Sequence, residues 1–226
     1  MPNLHTLTIL VFLFFSVVQL PINSLSSNYQ NILFQVYRNQ SKIGTHELLI
    51  DTKDSITEVN IKINFDVSFL GFKIYEYRHK NIEKWIGNEL ILLDSSTDQN
   101  GKLMTCTLKK KGDKLDISGT DNTVLLDNLI LPSSYWNSVL VKENKQLEIL
   151  NTQDCSFINL NIEFVGKDKI YDGNLSAFRY KLKGFESTGA EVDIDIWYDK
   201  YDNWVKMRFL KDGSTIDYVL SNYDDE

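Results

Sequence analysis

Residues 59–69 read Val-Asn-Ile-Lys-Ile-Asn-Phe-Asp-Val-Ser-Phe, apolar at every second position, with Asn60, Lys62, Asn64, Asp66 and Ser68 between. Successive strand side chains point to opposite faces, so the stretch reads as one long strand with a buried face and a wet face. At about 3.3 Å per residue it exceeds about 30 Å. The same period recurs in Ile158, Leu160, Ile162, Phe164; in Val192, Ile194, Ile196, Tyr198; in Val205, Met207, Phe209; and in Ile216, Tyr218, Leu220. Asn39-Gln40, Asn100-Gly101, Lys111-Gly112-Asp113, Asp121-Asn122, Asp172-Gly173, Asp202-Asn203 and Asp212-Gly213 separate the runs with residues that tolerate a left-handed backbone. About thirteen strands in antiparallel succession are expected. Helical periodicity is missing, and only Pro132 to Val139 (PSSYWNSV) reads as a short helical turn, with Pro132 at its first position. Long strands without covering helices manage their edges by curling or closing. The expected fold is therefore all-β: a single antiparallel, strongly curved sheet forming an open or incompletely closed barrel.

Composition sets the class. The 226 residues are 42% hydrophobic, and 24 Lys+Arg against 31 Asp+Glu leave a net charge of −7. No basic footprint exists for phosphate neutralisation, which argues against a nucleic-acid partner. Thr6 to Leu20 is uncharged and apolar, too short for a span of about 20 residues but suited to a secretory h-region. With small residues at Ser24 and Ser26, residues 1–26 read as a signal peptide and 27–226 as one all-β domain, secreted or periplasmic, with no stable membrane span after cleavage. Cys106 and Cys155, the two cysteines, permit a disulfide in an exported chain. Cys106 also alternates with Met104 and Leu108 as a buried free thiol would. Both readings stand at this level.

Several strings resemble the exported proteins grouped as domain of unknown function 6134: VYRNQSKIGTH (36–46), YEYRHKNIEKW (75–85), SSTDQNG (95–101), PSSYWN (132–137), LNTQDC (150–155), WYDKYDNWVKMRF (197–209) and DGSTIDYVL (212–220). The resemblance spans the mature chain. It implies export and a β-rich fold, and carries no activity, cofactor or catalytic residue. At Cys155 the chain departs from the pattern, where a glycine is expected.

Several constellations invite chemistry. His46 and His79 with Glu83 or Asp98 would make a two-histidine, one-carboxylate metal set. Ser133 or Ser134 with His79 and Asp98 would make a hydrolytic triad, but no GxSxG surrounds either serine, and the two histidines read more simply as hydrogen-bonded groups at a strand end. Asp94 to Lys102 has an oxygen-rich, calcium-loop look without the required spacing, and Asp98-Gln99-Asn100-Gly101 reads as a hairpin turn. Asp193 and Asp195 share one strand face, read as wet. Glu76 and Arg78, with Phe72 and Ile74, read as a buried or cavity-lining ion pair. Asn39 and Asn174 open glycan sequons.

The aromatic content is the distinctive feature. Tyr75, Tyr77 and His79 share a strand face, Trp85 follows, and Tyr135 and Trp136 sit in the expected helical turn. Rings with a polar tip suit the place where an apolar cavity meets water. These six residues are the candidate lining of a groove. The expected function is an exported, non-enzymatic, barrel-like binding module for an apolar or lipid-like small molecule, with no cofactor. The competing readings are an envelope structural or assembly protein with a filled core, and a hydrolase or metal-dependent enzyme.

Overall fold

The structure, a computed structural model, describes residues 28–223 apart from Asp121, Asn128 and 143–145. The expected signal peptide lies outside the described residues, as does Asp121 of one expected turn. The strands are β1 (Asn28–Arg38), β2 (Ser41–Lys53), β3 (Ile56–Phe69), β4 (Phe72–Ile86), β5 (Glu89–Gln99), β6 (Lys102–Lys111), β7 (Lys114–Gly119), β8 (Thr123–Leu126), β9 (Leu131–Pro132), β10 (Gln146–Leu150), β11 (Phe157–Ile170), β12 (Leu175–Glu186), β13 (Glu191–Tyr198), β14 (Trp204–Lys211) and β15 (Ser214–Leu220). A four-residue helix, α1 (Val139–Lys142), precedes β10.

All fifteen strands form one sheet in the order β8-β7-β6-β5-β4-β3-β2-β1-β15-β14-β13-β12-β11-β10-β9. Three expectations need correction. Among the described residues the count is fifteen, not about thirteen, because β8 and β9 span only four and two residues, too few to show a period of two. The sheet is mixed, since β9 runs parallel to β10 through Ile149↔Leu131 and Leu150↔Pro132. The helical turn also moves: Pro132 lies in β9, Tyr135 takes a left-handed φ of 61° that no helix accommodates, and the helix begins only after Asn137, whose Oδ1 accepts from the Val139 amide at 3.1 Å.

The sheet curls so that inward side chains from both halves bury in one cluster, from Ile32, Phe34, Leu48 and Val59 to Leu160, Leu182, Ile196 and Tyr218. Register shifts at Val36/Tyr37, Val67/Ser68, Lys84/Trp85, Phe164/Gly166 and Trp197/Tyr198 bend the strands toward closure. Backbone pairing does not complete it, and side chains span the seam instead. Cys106 on β6 is disulfide-bonded to Cys155 in the loop after β10, with Cα atoms 4.9 Å apart. Ser95 donates to the Thr152 carbonyl, and Asn122 Nδ2 donates to the Cys155 carbonyl at 3.1 Å. Cys155 has a φ of 63°, the glycine-like conformation that accounts for the expected glycine at this place.

The outer face carries the charge. Arg78 pairs with Asp66 and Glu76 at 2.8 Å, and Lys73 joins them, so this network is solvent-facing rather than buried or cavity-lining. The bulge at Val67/Ser68 shifts the register, bringing Lys73 in beside these acids and separating Phe72 from the alternation that Glu76 and Arg78 follow. Asp195, read as wet, is 8% exposed, held by Arg179 at 2.8 Å and Lys181 at 3.1 Å. A second apolar cluster of Ile170, Ala177, Trp197 and Val205 forms apart from the main core.

Candidate functional site

The inward face of β4 is the least ordinary surface in the barrel. Along its alternation lie Tyr75, Tyr77, His79, Asn81, Glu83 and Trp85, where a core strand would carry aliphatic residues. All but the half-buried Tyr75 are buried. Pairing extends this polar stripe sideways: His79 faces Ile63 and then His46 on one side, and Thr97 on the other.

Glu83 is the hub at one end. It is fully buried, and its carboxylate accepts from Asn81 Nδ2 at 2.8 Å, Trp85 Nε1 at 2.9 Å and Trp136 Nε1 at 2.8 Å. The Ser134 hydroxyl is a fourth donor. Burial pushes the Glu83 carboxyl above its ordinary range, and the Trp136, Ser134, Trp85 and Asn81 donors oppose that shift. The effect is mechanical: residues 133–138 are fastened across the inside of the sheet as a plug. The Trp136 ring meets Trp85 edge-on with centroids 5.5 Å apart, and on the far side the Tyr198 hydroxyl donates to the Tyr135 carbonyl at 2.6 Å. The hollow between Trp85, Pro132, Ser134, Tyr135 and Leu140 holds about 10 Å³, room for one water.

Beyond the plug, toward the turns at 39–40, 70–71 and 212–213, the interior becomes a cluster of rings. Phe65 stacks on Tyr77 at 5.6 Å, Tyr77 on His79 at 6.2 Å, and Tyr218 meets Phe65 at 6.2 Å and His46 at 5.7 Å. Burial raises the Tyr218 phenol well above its usual value, and the Tyr77, Tyr135 and Tyr75 phenols raise it further. Ile63, Phe65, Val67, Tyr75 and Phe209 remain half-buried although they belong to the inward alternation, so the inner face is only partly covered at this end, the mouth of the barrel.

Both histidines are held neutral. His79 Nδ1 bonds Thr97 Oγ1 at 2.8 Å, and burial lowers its pKa from 6.5 to about 4. His46 is 4% exposed, ringed by Phe34, Trp204 and Tyr218, with neither ring nitrogen hydrogen-bonded. Burial, then the nearby His79, lowers its pKa to about 3.

The six candidates therefore fall into two groups. Tyr75, Tyr77 and His79 share the ring cluster, Trp85 and Trp136 are tied to Glu83, and Tyr135 links the two through the plug. His46, Tyr218 and Phe65 join them beyond the six candidates; in the sequence, the place of His46 in one alternation with Leu48 and Ile50 is the signal that marks it as inward. The metal and triad constellations do not assemble. Asp98 sits on the opposite face from His79 and accepts from the Gly101 amide at 2.7 Å, as a hairpin turn requires. Ser134 serves Glu83, and Ser133 Oγ accepts from the Thr152 amide at 3.1 Å. Among the described residues no three His, Cys, Asp or Glu side chains gather as a metal site. The Asp94 to Lys102 stretch is likewise strand β5 as far as Gln99, followed by the turn at Asn100-Gly101, with Asn100 Oδ1 accepting from the Glu76 amide at 2.8 Å. The Asn39 side chain of one sequon accepts from the Thr215 amide at 2.9 Å and donates to Ser214 Oγ at 3.3 Å.

A family model described as a domain of unknown function (DUF6134) matches residues 34–221. A solved β-barrel-like protein of domain of unknown function DUF1849 from Brucella abortus is similar over 87% of this chain and 97% of its own, with 9% identity and a TM-score of 0.60. That likeness is one of fold. A DUF1329 family protein from Desulfovibrio piger, at 12% identity over 88% of this chain and 85% of its own, gives a TM-score of 0.16. No match to a curated protein was found.

Proposed function

The chain belongs to the DUF6134 family, and from that premise we propose that it is an exported, non-catalytic, barrel-like binding module that receives an apolar or lipid-like molecule at the mouth above the plug. One observation carries the reading: the half-buried inward rings Phe65, Tyr75 and Phe209, backed by Tyr77, His79 and Tyr218, combine apolar area with hydrogen-bonding tips at an opening. Sites that grip amphiphiles need that mixture, and a sealed core does not. The plug is the floor on which such a ligand rests.

The test is organic extraction and mass spectrometry of the purified protein, with titration by a fluorescent apolar probe. A defined co-purifying amphiphile, displaced by the probe and weakened by Tyr75→Ala, is expected. A clean extract together with no probe binding refutes the proposal. A specific observation favours a second reading, the envelope structural protein with a filled core: Trp136 and Glu83 lock the plug, and the hollow beside it holds one water. Trp136→Ala separates the two. In both readings it costs about 3 kcal/mol of stability, but in the binding reading the parent chain binds the probe and the substitution changes its affinity, whereas in the structural reading neither chain binds the probe.

A further inference from the structure

The β3–β4 hairpin outruns its neighbours. Pairing with β2 ends at Phe65, and contact with the β5–β6 turn ends at Glu76, so residues 66–75 form a two-stranded ribbon without a further ladder on either side. From Glu76 to Gly71 it projects about 16 Å at 3.3 Å per residue. Isolated ribbons are marginal in water and normally polar, but this one reads Val-Ser-Phe-Leu-Gly-Phe-Lys-Ile over residues 67–74. Leu70 is 81% exposed, Phe72 75% and Ile74 55%. Leu210, 67% exposed, stands beside the β14–β15 turn at the same end of the barrel.

We infer that this ribbon is a membrane-docking tip that lodges Leu70, Phe72 and Ile74 in the headgroup and upper acyl region of a lipid bilayer. Three features select a bilayer over a protein partner. A protein face would be met by a one-sided alternating pattern, yet here apolar residues occupy consecutive places around the turn, suiting a medium that is apolar on all sides. The apolar depth, from Gly71 back to Ile74, is about 10 Å, the reach of interfacial segments that bury about 5–10 Å. Although the chain carries −7, residues 67–74 contain no acid, and their one lysine, Lys73, is neutralised by Asp66 and Glu76 at the base of the ribbon, which leaves the apolar tip without net charge. The ribbon adjoins the mouth, so docking there would present the opening to lipid, but the inference does not depend on a ligand being bound.

The test places tryptophan in the full chain at Phe72, and as a control at Leu103, which is 71% exposed on β6. Vesicles of phosphatidylcholine brominated near the glycerol end are then added. Emission from Phe72→Trp should be quenched beyond the background of the unmodified chain, Leu103→Trp should show no added quenching, and added salt should change neither. Leu70→Ser with Phe72→Ser should weaken vesicle partitioning at least tenfold relative to the parent chain, with the apolar probe still bound at the mouth. Equal quenching at both positions, no quenching at Phe72→Trp, or quenching abolished by salt overturns the inference. So does a Phe72→Trp emission shift that follows protein concentration without lipid, which would identify a second copy as the occupant. Loss of probe binding with quenching retained would count against the binding module and leave the docking tip standing.

Discussion

Two neutral imidazoles buried in one row of the sheet, on either side of Ile63, make the fold acid-sensitive in a calculable window. In the unfolded chain His46 and His79 titrate near 6.5, whereas in the native barrel burial holds them at about 3 and about 4. Both folded values are depressed, so the unfolded state binds more protons as pH falls below 6.5; the stabilisation is full above that value and is lost as pH falls toward the folded values. Between about pH 7 and pH 5 each histidine costs the native state about 2 kcal/mol, together about 4 kcal/mol, a large share of the roughly 5–15 kcal/mol that holds a typical domain. Glu83, raised by burial, acts in the opposite sense, and the acids whose folded pKa is lowered, Glu58 and Asp66, lose their contribution only below that window. The measurement is urea unfolding at a series of pH values, disulfide intact, followed by the emission of the buried Trp85 and Trp204. His46→Leu should remove about half of the pH dependence whatever it does to stability at pH 7. A pH dependence that is flat from pH 7 to pH 5, or unchanged in His46→Leu, refutes the assignment of neutral, buried histidines.

Glu83→Gln replaces an acceptor by an amide that must aim an N–H at the Asn81 amide or at the two indoles; it should cost about 1–3 kcal/mol and shift Trp136 emission to the red, and wild-type stability and emission would deny the carboxylate its anchoring role. Thiol titration of unreduced, unfolded protein should find no free thiol, and replacing Cys106 and Cys155 by serine should cost about 4 kcal/mol for a closed loop of 49 residues, read from the shift in urea midpoint. At Gly184 an added Cβ would lie 1.7 Å from the Asn159 carbonyl oxygen on the paired strand, so Gly184→Ala should destabilise by about 3 kcal/mol, whereas Gly189→Ala, with open space around its Cβ, should cost less; equal effects would contradict the pairing of β11 with β12.

The fold was legible because a half-buried sheet repeats one simple instruction. Alternation from Val59 to Phe69 and from Ile158 to Phe164 announced the strands, and Asn39-Gln40, Asn100-Gly101 and Asp212-Gly213 announced the hairpins with residues that the structure indeed holds at positive φ. Illegible were the features set by long-range partners. The parallel β9–β10 contact spans two residue pairs and leaves no periodic trace. Pro132 favours a helix start only where nothing else competes, and here pairing with Leu150, together with Tyr135 and Trp136 bonded to opposite walls of the barrel, drew the segment out as a plug.

The site was half legible for a related reason. A polar residue on an inward alternation is visible in sequence, and Tyr75, Tyr77 and His79 were found that way. What it is inward for depends on which partner meets it. Glu83 shares the inward alternation with His79, yet its role as an anchor is written in Trp136, 53 residues away, whose indole it accepts. His46 shares a row with His79 across Ile63, but it meets rings in place of hydrogen-bond partners and so stays neutral. The same physical rule, that a buried polar group must be satisfied or discharged, thus gives two outcomes on one sheet face: a carboxylate satisfied by four donors that fixes the floor, and an imidazole discharged among aromatics that lines the space beneath the mouth. The floor resists change and the mouth remains half open, and that asymmetry along a single strand is why the binding reading attaches to Tyr75 and Tyr77 rather than to Trp85 and Trp136.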